Sequence, residues 1–177
     1  DKAYILYTGK RYAYKNFSLF AESMEPVLKE HPSLQLVCAG GGPFKASEMN
    51  HFKKLGISEQ VVYQPISTDE VLASLYNHAI ALVYPSLYEG FGLPIIEAFA
   101  CSCPVITSAG SSTGEIADDA AVLIDPNNKK DITEKILQVM NNSNLQADMI
   151  QKGLERATHF NWDKTAQQTF ELYQSLV

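Results

Sequence analysis

The feature that most constrains this chain is an alternation. Short apolar, β-prone runs at 4–8, 34–39, 61–64, 79–84, 104–107 and 121–124 are separated by longer segments at 16–30, 45–55, 68–77 and 93–101. In the longer segments apolar residues return every third or fourth position, the period of a helix with one face on a core. Strand and helix taking turns in this way is the mark of βαβ units around a mostly parallel sheet. Runs such as YILYT, AIALVY and AVLI are apolar almost throughout, so both faces of the sheet are expected to be covered. After Asp125-Pro126 the alternation stops. The remainder reads as three helices at 128–141, 144–158 and 162–176, with turns around Asn141–Asn144 and Phe160–Asn161. The expectation is one α/β domain over 1–177, a Rossmann-like, doubly wound, six-stranded sheet with a helical C-terminal appendage. Ligands of such sheets bind beyond the carboxyl ends of the strands, which is where chemistry should be sought.

Composition narrows the functions. A chain of 177 residues can form a proper core, burying roughly 70% of the surface its unfolded form exposes. No apolar run reaches the length of about 20 that a membrane-spanning helix needs, and no secretory leader opens the sequence. The cytoplasm is therefore the expected location, with any contact at the inner face of the plasma membrane left to parts outside this chain. The sequence opens with Asp1 and enters an apolar run almost at once, so a piece of a longer protein is expected. A net charge of -6 argues against a nucleic-acid surface, while Lys10, Arg11 and Lys15 cluster where a small anion could dock. Cys38, Cys101 and Cys103 lack zinc spacing and are read as reduced thiols. His31, His51, His78 and His159 are scattered, and no metal site is expected.

The most informative segment runs from Pro85 to Glu97, PSLYEGFGLPIIE. It follows a buried strand, and its two glycines let the backbone turn sharply and approach a ligand. Pro94 suits the first position of a helix, where its missing N–H costs nothing. A helix starting just past a strand's carboxyl end aims free N–H groups and a positive dipole end at an anion. Glu89 then lies in the loop and Glu97 in the first helical turn. Taken singly, Glu97 could serve only the helix dipole and Glu89 only the solvent. Together they flank an anion site, as a ligand with both phosphate and hydroxyl groups requires.

Glu89 and Glu97 bracket seven residues, and PSLYEGFGLPIIEAFA resembles the E-x7-E segment of the group-1 (family-4) retaining glycosyltransferases. The likeness extends to TGKRYAYKNF, VCAGGGP, CPVITS, EIADDAAVLIDP and FNWDKTA, nearly the whole chain. It implies a GT-B enzyme of two Rossmann-like domains with the active site between them, and this chain as the C-terminal, donor-binding domain. The partners implied are a nucleoside-diphosphate sugar, the enzyme's own N-terminal acceptor domain and a glycan or lipid-linked acceptor, as in bacterial polysaccharide assembly. By the same resemblance Glu97 binds the ribose hydroxyls and Glu89 lies at the donor sugar. The amides of Gly90, Phe91, Gly92 and Leu93 reach the sugar and diphosphate.

The loop Gly9 to Asn16 supplies the other half of the site. A diphosphate needs cations, and Arg can meet it with a planar fork while Lys brings a point charge. With the resemblance, Arg11 and Lys15 are expected to neutralise the leaving diphosphate, with Lys10 left at the surface. Gly40-Gly41-Gly42-Pro43 breaks the dinucleotide fingerprint at Lys45 but resembles the family's G-x-G-P loop, with Gly41 at the cleft. Gln64-Pro65-Ile66-Ser67 resembles its base-binding loop, where the backbone near Ile66 would touch the nucleobase. As ordinary tight turns, both need no ligand. Ser102 and Asp118 stand where the family usually has glycine, and Gly114 replaces a common proline, so Ser108 to Gly114 reads as a mobile loop. No Asp-x-Asp occurs, so cations and a helix dipole would replace a divalent metal, and no cofactor is expected. Two rivals remain: a non-catalytic binding module of the same fold, and another GT-B enzyme such as an epimerase or phosphorylase.

Overall fold

All six expected strands form, and every one runs parallel to its neighbours. In the computed structural model, which describes residues 2–176, the strands are β1 (Tyr4–Thr8), β2 (Gln35–Ala39), β3 (Val61–Gln64), β4 (Ala81–Tyr84), β5 (Val105–Ser108) and β6 (Val122–Ile124). Asp1 and Val177, the ends of the expected domain, lie outside the described residues. The sheet order is β3-β2-β1-β4-β5-β6. The expectation of a mostly parallel sheet thus sharpens to a fully parallel one, with ladders such as Leu6 opposite Val37 and Val83 opposite Ile106.

Successive side chains leave a strand on opposite faces, and the buried residues divide accordingly. Ile5, Tyr7, Leu36, Cys38, Ala81 and Val83 point to one face, where α1 (Phe17–Glu30), α2 (Ala46–Leu55) and α6 (Lys129–Met140) cover them. Leu6, Val37, Ala39, Leu82 and Tyr84 point to the other, under α3 (Asp69–His78), α4 (Leu93–Ala100) and α5 (Ser111–Ala117). Burying such a side chain contributes about 1.5–3 kcal/mol. These two layers therefore hold the fold, and they explain why the strands read as continuous apolar runs. Cys38 and Cys103 are buried and Cys101 half-buried, all three unpaired.

The C-terminal helices differ sharply from one another. α7 (Ser143–Ala157) packs onto α4 so closely that a Cβ on Gly153 would stand 2.7 Å from the Phe99 ring. α8 (Trp162–Ser175) lies against almost nothing, and Trp162, Phe170, Leu172 and Tyr173 are all exposed.

Two expectations need correction. The segment read as a mobile loop, Ser108 to Gly114, is instead the end of β5 and most of α5. Gly114 belongs there for a packing reason, because a Cβ would meet the Ala109 carbonyl oxygen at 2.5 Å. Glu97 is not in the first turn of its helix. α4 begins at Leu93 with Gly92 as its N-cap and Pro94 second, which puts Glu97 one turn further in. Its share of the dipole interaction falls accordingly, since that effect fades within the first turn.

Candidate functional site

β1 and β4 are neighbours in the sheet, and the strand order reverses between them. At that switch point the loops following the two strands diverge and leave a crevice. The loop after β1 runs through a short 3-10 turn, Ala13–Lys15, and ends at Asn16 with φ 56. This left-handed residue aims its amide sideways, and Nδ2 donates to the Pro85 carbonyl at 3.2 Å and to that of Pro126 at 2.6 Å. The Leu87 N–H donates to the Tyr14 carbonyl at 2.7 Å. Asn16 and Tyr14 thereby stitch the β1 and β4 loops together.

The stitching delivers Lys15 to Glu89. Lys15 Nζ lies 2.6 Å from Glu89 Oε1 and 2.9 Å from the Tyr84 hydroxyl. The side chains of Lys15 and Glu89 are only 15% and 11% exposed, so this is a sheltered pair. Burial works against the Lys15 ammonium, but the hydrogen bonds to Glu89 and Tyr84 outweigh it and raise its pKa above the ordinary lysine value. Burial also raises the pKa of the Tyr84 phenol, which Lys15 opposes and Glu89 assists. An ammonium has three N–H donors, and two are used here.

Glu89 is held from behind by α5. Its N–H donates to Ser111 Oγ at 3.2 Å, while Ser112 Oγ donates to the carbonyls of Glu89 at 2.9 Å and Phe91 at 2.7 Å. Gly90 is exposed, and Gly92 takes φ 122, open only to glycine, to turn the chain into α4. No side chain caps α4, and the side chains of Phe91 and Leu93 stand exposed at its mouth. Glu97 accepts from the buried Tyr76 hydroxyl at 3.0 Å and lines a cavity of about 340 Å³ between α3 and α4. Burial, and then Glu97, raise the Tyr76 pKa.

Arg11, expected with Lys15 to neutralise the leaving diphosphate, is already engaged by the protein. Its Nε donates to Glu48 Oε1 at 2.7 Å, and its Nη atoms donate to the carbonyls of Gly40 at 3.1 Å, Gly42 at 2.7 Å and Pro43 at 3.2 Å. Four of five guanidinium N–H donors are thus used, and the side chain is 4% exposed between the Phe44 and Phe17 rings. The glycine loop it grips has φ of 72, 70 and 84 at Gly40, Gly41 and Gly42. A Cβ on Gly41 would stand 2.4 Å from the Gly9 carbonyl oxygen, so no side chain can be housed there without a shift of the backbone. Ile66 is half-exposed beside this loop, its Cδ1 3.1 Å from where a Gly40 Cβ would be. Lys10 is exposed, as expected.

The expected residues thus fall into two groups, with Glu97 apart from both beside Tyr76. Lys15, Glu89 and the Gly90–Leu93 turn meet at the switch point; Arg11, Gly9, Gly41 and Ile66 meet at the glycine loop. Five residues that hold them were not foreseen: Tyr84, Glu48, Tyr76, Ser111 and Ser112. Tyr84 had a visible signal as the last residue of an apolar strand entering the motif. The serines had none, because their segment read as loop. Among the described residues no three His, Cys, Asp or Glu side chains gather as a metal would need, and no helix is long and apolar enough to cross a membrane.

Comparison with known proteins bears on the whole arrangement. Residues 1–156 match the family described as "Glycosyl transferases group 1". The chain is 41% identical over 108 residues to the O-antigen chain mannosyltransferase B of Escherichia coli, a match covering 61% of this chain and 28% of that protein. Its fold superposes on sucrose-phosphate synthase of Thermosynechococcus elongatus with a TM-score of 0.85 and 27% identity, over 99% of this chain and 46% of the other. The C-terminal domain of a group 1 glycosyl transferase from Francisella tularensis superposes with a TM-score of 0.76 and 27% identity, over 88% of this chain and 85% of that one. The chain therefore spans about half, or less, of the full-length relatives it matches.

Proposed function

The chain belongs to the glycosyl transferases of group 1 and corresponds to the C-terminal domain of such an enzyme, and from that premise we propose that it binds the nucleoside-diphosphate sugar. The observation that carries the reading is the Lys15–Glu89 pair. Residues far apart in sequence are brought within 2.6 Å at the switch point, beside a helix start that no side chain caps.

In this reading the diphosphate lies across the start of α4. It takes the remaining Lys15 N–H, a charge-assisted bond that strengthens as charge builds on the leaving group, and this preorganised electrostatics would accelerate transfer. Glu89, fixed by Lys15 and the α5 serines, faces the sugar and stabilises positive character at the anomeric carbon. Transfer proceeds with the anomeric configuration retained. The Gly90–Leu93 amides approach the sugar and diphosphate, Glu97 the ribose, and the Ile66 and Gly41 backbones the base side of the cleft. Arg11 and Gly9 act by fixing the glycine loop, with the Arg11 charge partly offset by Glu48. The acceptor, a glycan or lipid-linked sugar, is the task of an N-terminal half outside this chain, and the mannosyltransferase name of the E. coli relative makes a mannosyl donor the first to try. The Lys15 ammonium and the helix start are protein-borne, and in this reading they take the place of a divalent ion.

The test is calorimetric titration of the chain with UDP, GDP and ADP, in chelator and in magnesium. One of the three should bind with equal affinity in both buffers. Binding that appears only with the divalent ion would overturn the metal-free reading, and no binding of any nucleotide would overturn donor binding itself.

A further inference from the structure

The crevice at the switch point is built on an anchor too enclosed to meet a ligand. Tyr84 is the last residue of β4, an inner strand with β1 on one side and β5 on the other. Its carbonyl accepts from Thr107 Oγ1 at 3.0 Å, and the residue is 2% exposed in the layer of Leu6, Ile95 and Ile116. The ring is therefore held in place, whereas Lys15 reaches the crevice on a long flexible stem from a 3-10 turn. The phenol oxygen accepts from the Lys15 ammonium at 2.9 Å. The Tyr84 and Tyr14 rings flank the same ammonium, their centroids 5.0 and 5.4 Å from Nζ. Burial raises the phenol pKa, Lys15 opposes it and Glu89 adds to it by attracting the phenol proton, so the hydroxyl stays protonated at neutral pH.

We propose that Tyr84 is a positioning residue for glycosyl transfer: its hydroxyl fixes the direction in which Lys15 offers its third N–H, and keeps the ammonium anchored when a diphosphate draws it from Glu89. The three N–H bonds of an ammonium spread tetrahedrally about Nζ. With one acceptor the group can still turn about that hydrogen bond. A second acceptor, out of line with the first, leaves the third N–H a single direction. Glu89 cannot supply this constraint throughout a reaction, because its carboxylate competes with the diphosphate for the same ammonium. The Tyr84 hydroxyl is neutral and fixed, and it can stay bonded while the charge on Lys15 changes partner. Being almost wholly enclosed, it acts only through Lys15. This role rests on the reading of Lys15 as the cation of the diphosphate, yet it can fail while that reading stands.

Tyr84→Phe removes the oxygen and keeps the ring. UDP, GDP and ADP are titrated calorimetrically into the parent chain, Tyr84→Phe, Lys15→Met and the double variant, with the matching nucleosides beside them. For the nucleotide that binds, Tyr84→Phe should lower diphosphate affinity about three- to ten-fold, less than Lys15→Met, and leave nucleoside affinity unchanged. In the Lys15→Met background the same change should cost less than about two-fold, since a positioning residue has no effect without the group it positions. Equal losses with and without Lys15, or an equal loss toward the nucleoside, would make the hydroxyl merely structural and overturn the proposal, as would parent-like affinity in Tyr84→Phe. A second readout needs no ligand. In proton–nitrogen NMR spectra of the lysine ammonium groups, the Lys15 signal, identified by its loss in Lys15→Met, should exchange with water more slowly than that of an exposed lysine such as Lys10. Tyr84→Phe should speed that exchange. A Lys15 ammonium exchanging as fast as Lys10 in the parent chain overturns the positioning even where a diphosphate binds. If no nucleotide binds the parent chain, the donor reading falls and this role with it; if one binds and Tyr84→Phe binds it equally, this role alone falls.

Discussion

Arg11 and Lys15 lie four residues apart in one loop, and the structure uses them in opposite ways. The Arg11 guanidinium is enclosed, meeting Glu48 and three carbonyls of the glycine loop. Lys15 stands at the crevice with Glu89 and Tyr84 and keeps one N–H to offer. The same charge on the same loop therefore serves two ends. A fork with five fixed donors suits a knot of carbonyls, whereas a point charge on a flexible stem can pass from a carboxylate to an arriving phosphate. Whether a cation near a phosphate site binds ligand or holds the site depends on what already surrounds it.

The sharpest way to break this comparison is to remove Arg11. Arg11→Met should cost about 3–5 kcal/mol of stability, because it leaves Glu48 and the loop carbonyls without their partner in a sheltered place. Urea unfolding measures it. A loss below about 1 kcal/mol, typical of an exposed ion pair, would mean that the guanidinium is free after all.

Lys15→Met should reverse the pattern. Diphosphate affinity should fall about ten- to a hundred-fold, the worth of a charge-assisted bond, while affinity for the unphosphorylated nucleoside is unchanged. The stability loss should be smaller than for Arg11→Met, about 1–2 kcal/mol. Calorimetry with both ligands, beside unfolding curves, checks each half. Equal effects on nucleoside and diphosphate would sink the assignment.

Alkaline pH sharpens the contrast by separating core from crevice. Burial pushes the Cys103 thiol up to about 12, and it also raises those of Cys38, Tyr7 and Tyr76. A group whose pKa is raised on folding contributes stability that is fully present below its unfolded pKa. That contribution is lost as pH rises toward the folded value. Stability should therefore begin to fall above about pH 8.5, where unfolded thiols ionise, by up to about 1.4 kcal/mol per pH unit for each group. The raised pKa of Lys15 keeps its pair intact over this range. Unfolding curves of Lys15→Met and the parent chain should run parallel from pH 8.5 to about 10.4, the ordinary lysine value, and converge only above it. Convergence at lower pH would show that the pair titrates early.

What the sequence made legible follows from the range of the forces involved. The sheet and most helices could be read because burial imposes a local period, as in Ile5-Leu6-Tyr7, whose side chains alternate between the two layers. Ends slipped by a residue or two where apolar neighbours such as Leu34 and Ile80 continue the run without joining the ladder. α5 was missed because Ser111, Ser112 and Gly114 are poor helix formers, and its reasons for existing are the carbonyls of Glu89 and Phe91 and the tight contact at Ala109. The E-x7-E segment was legible as a motif. The pairings of Arg11 with Glu48 and Lys15 with Glu89 were not, since they join residues 37 and 74 positions apart with no local pattern.

The smallest predicted effect is the most discriminating, because its sign follows from the pairing. Glu89 and Lys15 share a hydrogen bond, so the carboxylate competes with a diphosphate for the ammonium. Glu89→Gln keeps an oxygen that can accept from Lys15 but removes the negative charge. It should therefore leave diphosphate affinity unchanged or raise it, by no more than about five-fold, a gain near 1 kcal/mol. Stability should change little, since the serines of α5 grip the Glu89 backbone and not its carboxylate. In the full-length enzyme the same change should lower turnover, because charge facing the anomeric carbon matters mainly in the transition state. Tighter diphosphate with slower transfer is a combination that neither a purely structural glutamate nor a direct phosphate-side ligand would give. A clear loss of diphosphate affinity in Glu89→Gln would instead mean that Lys15 needs Glu89 to be positioned at all, and the crevice would then be organised from Glu89 outward.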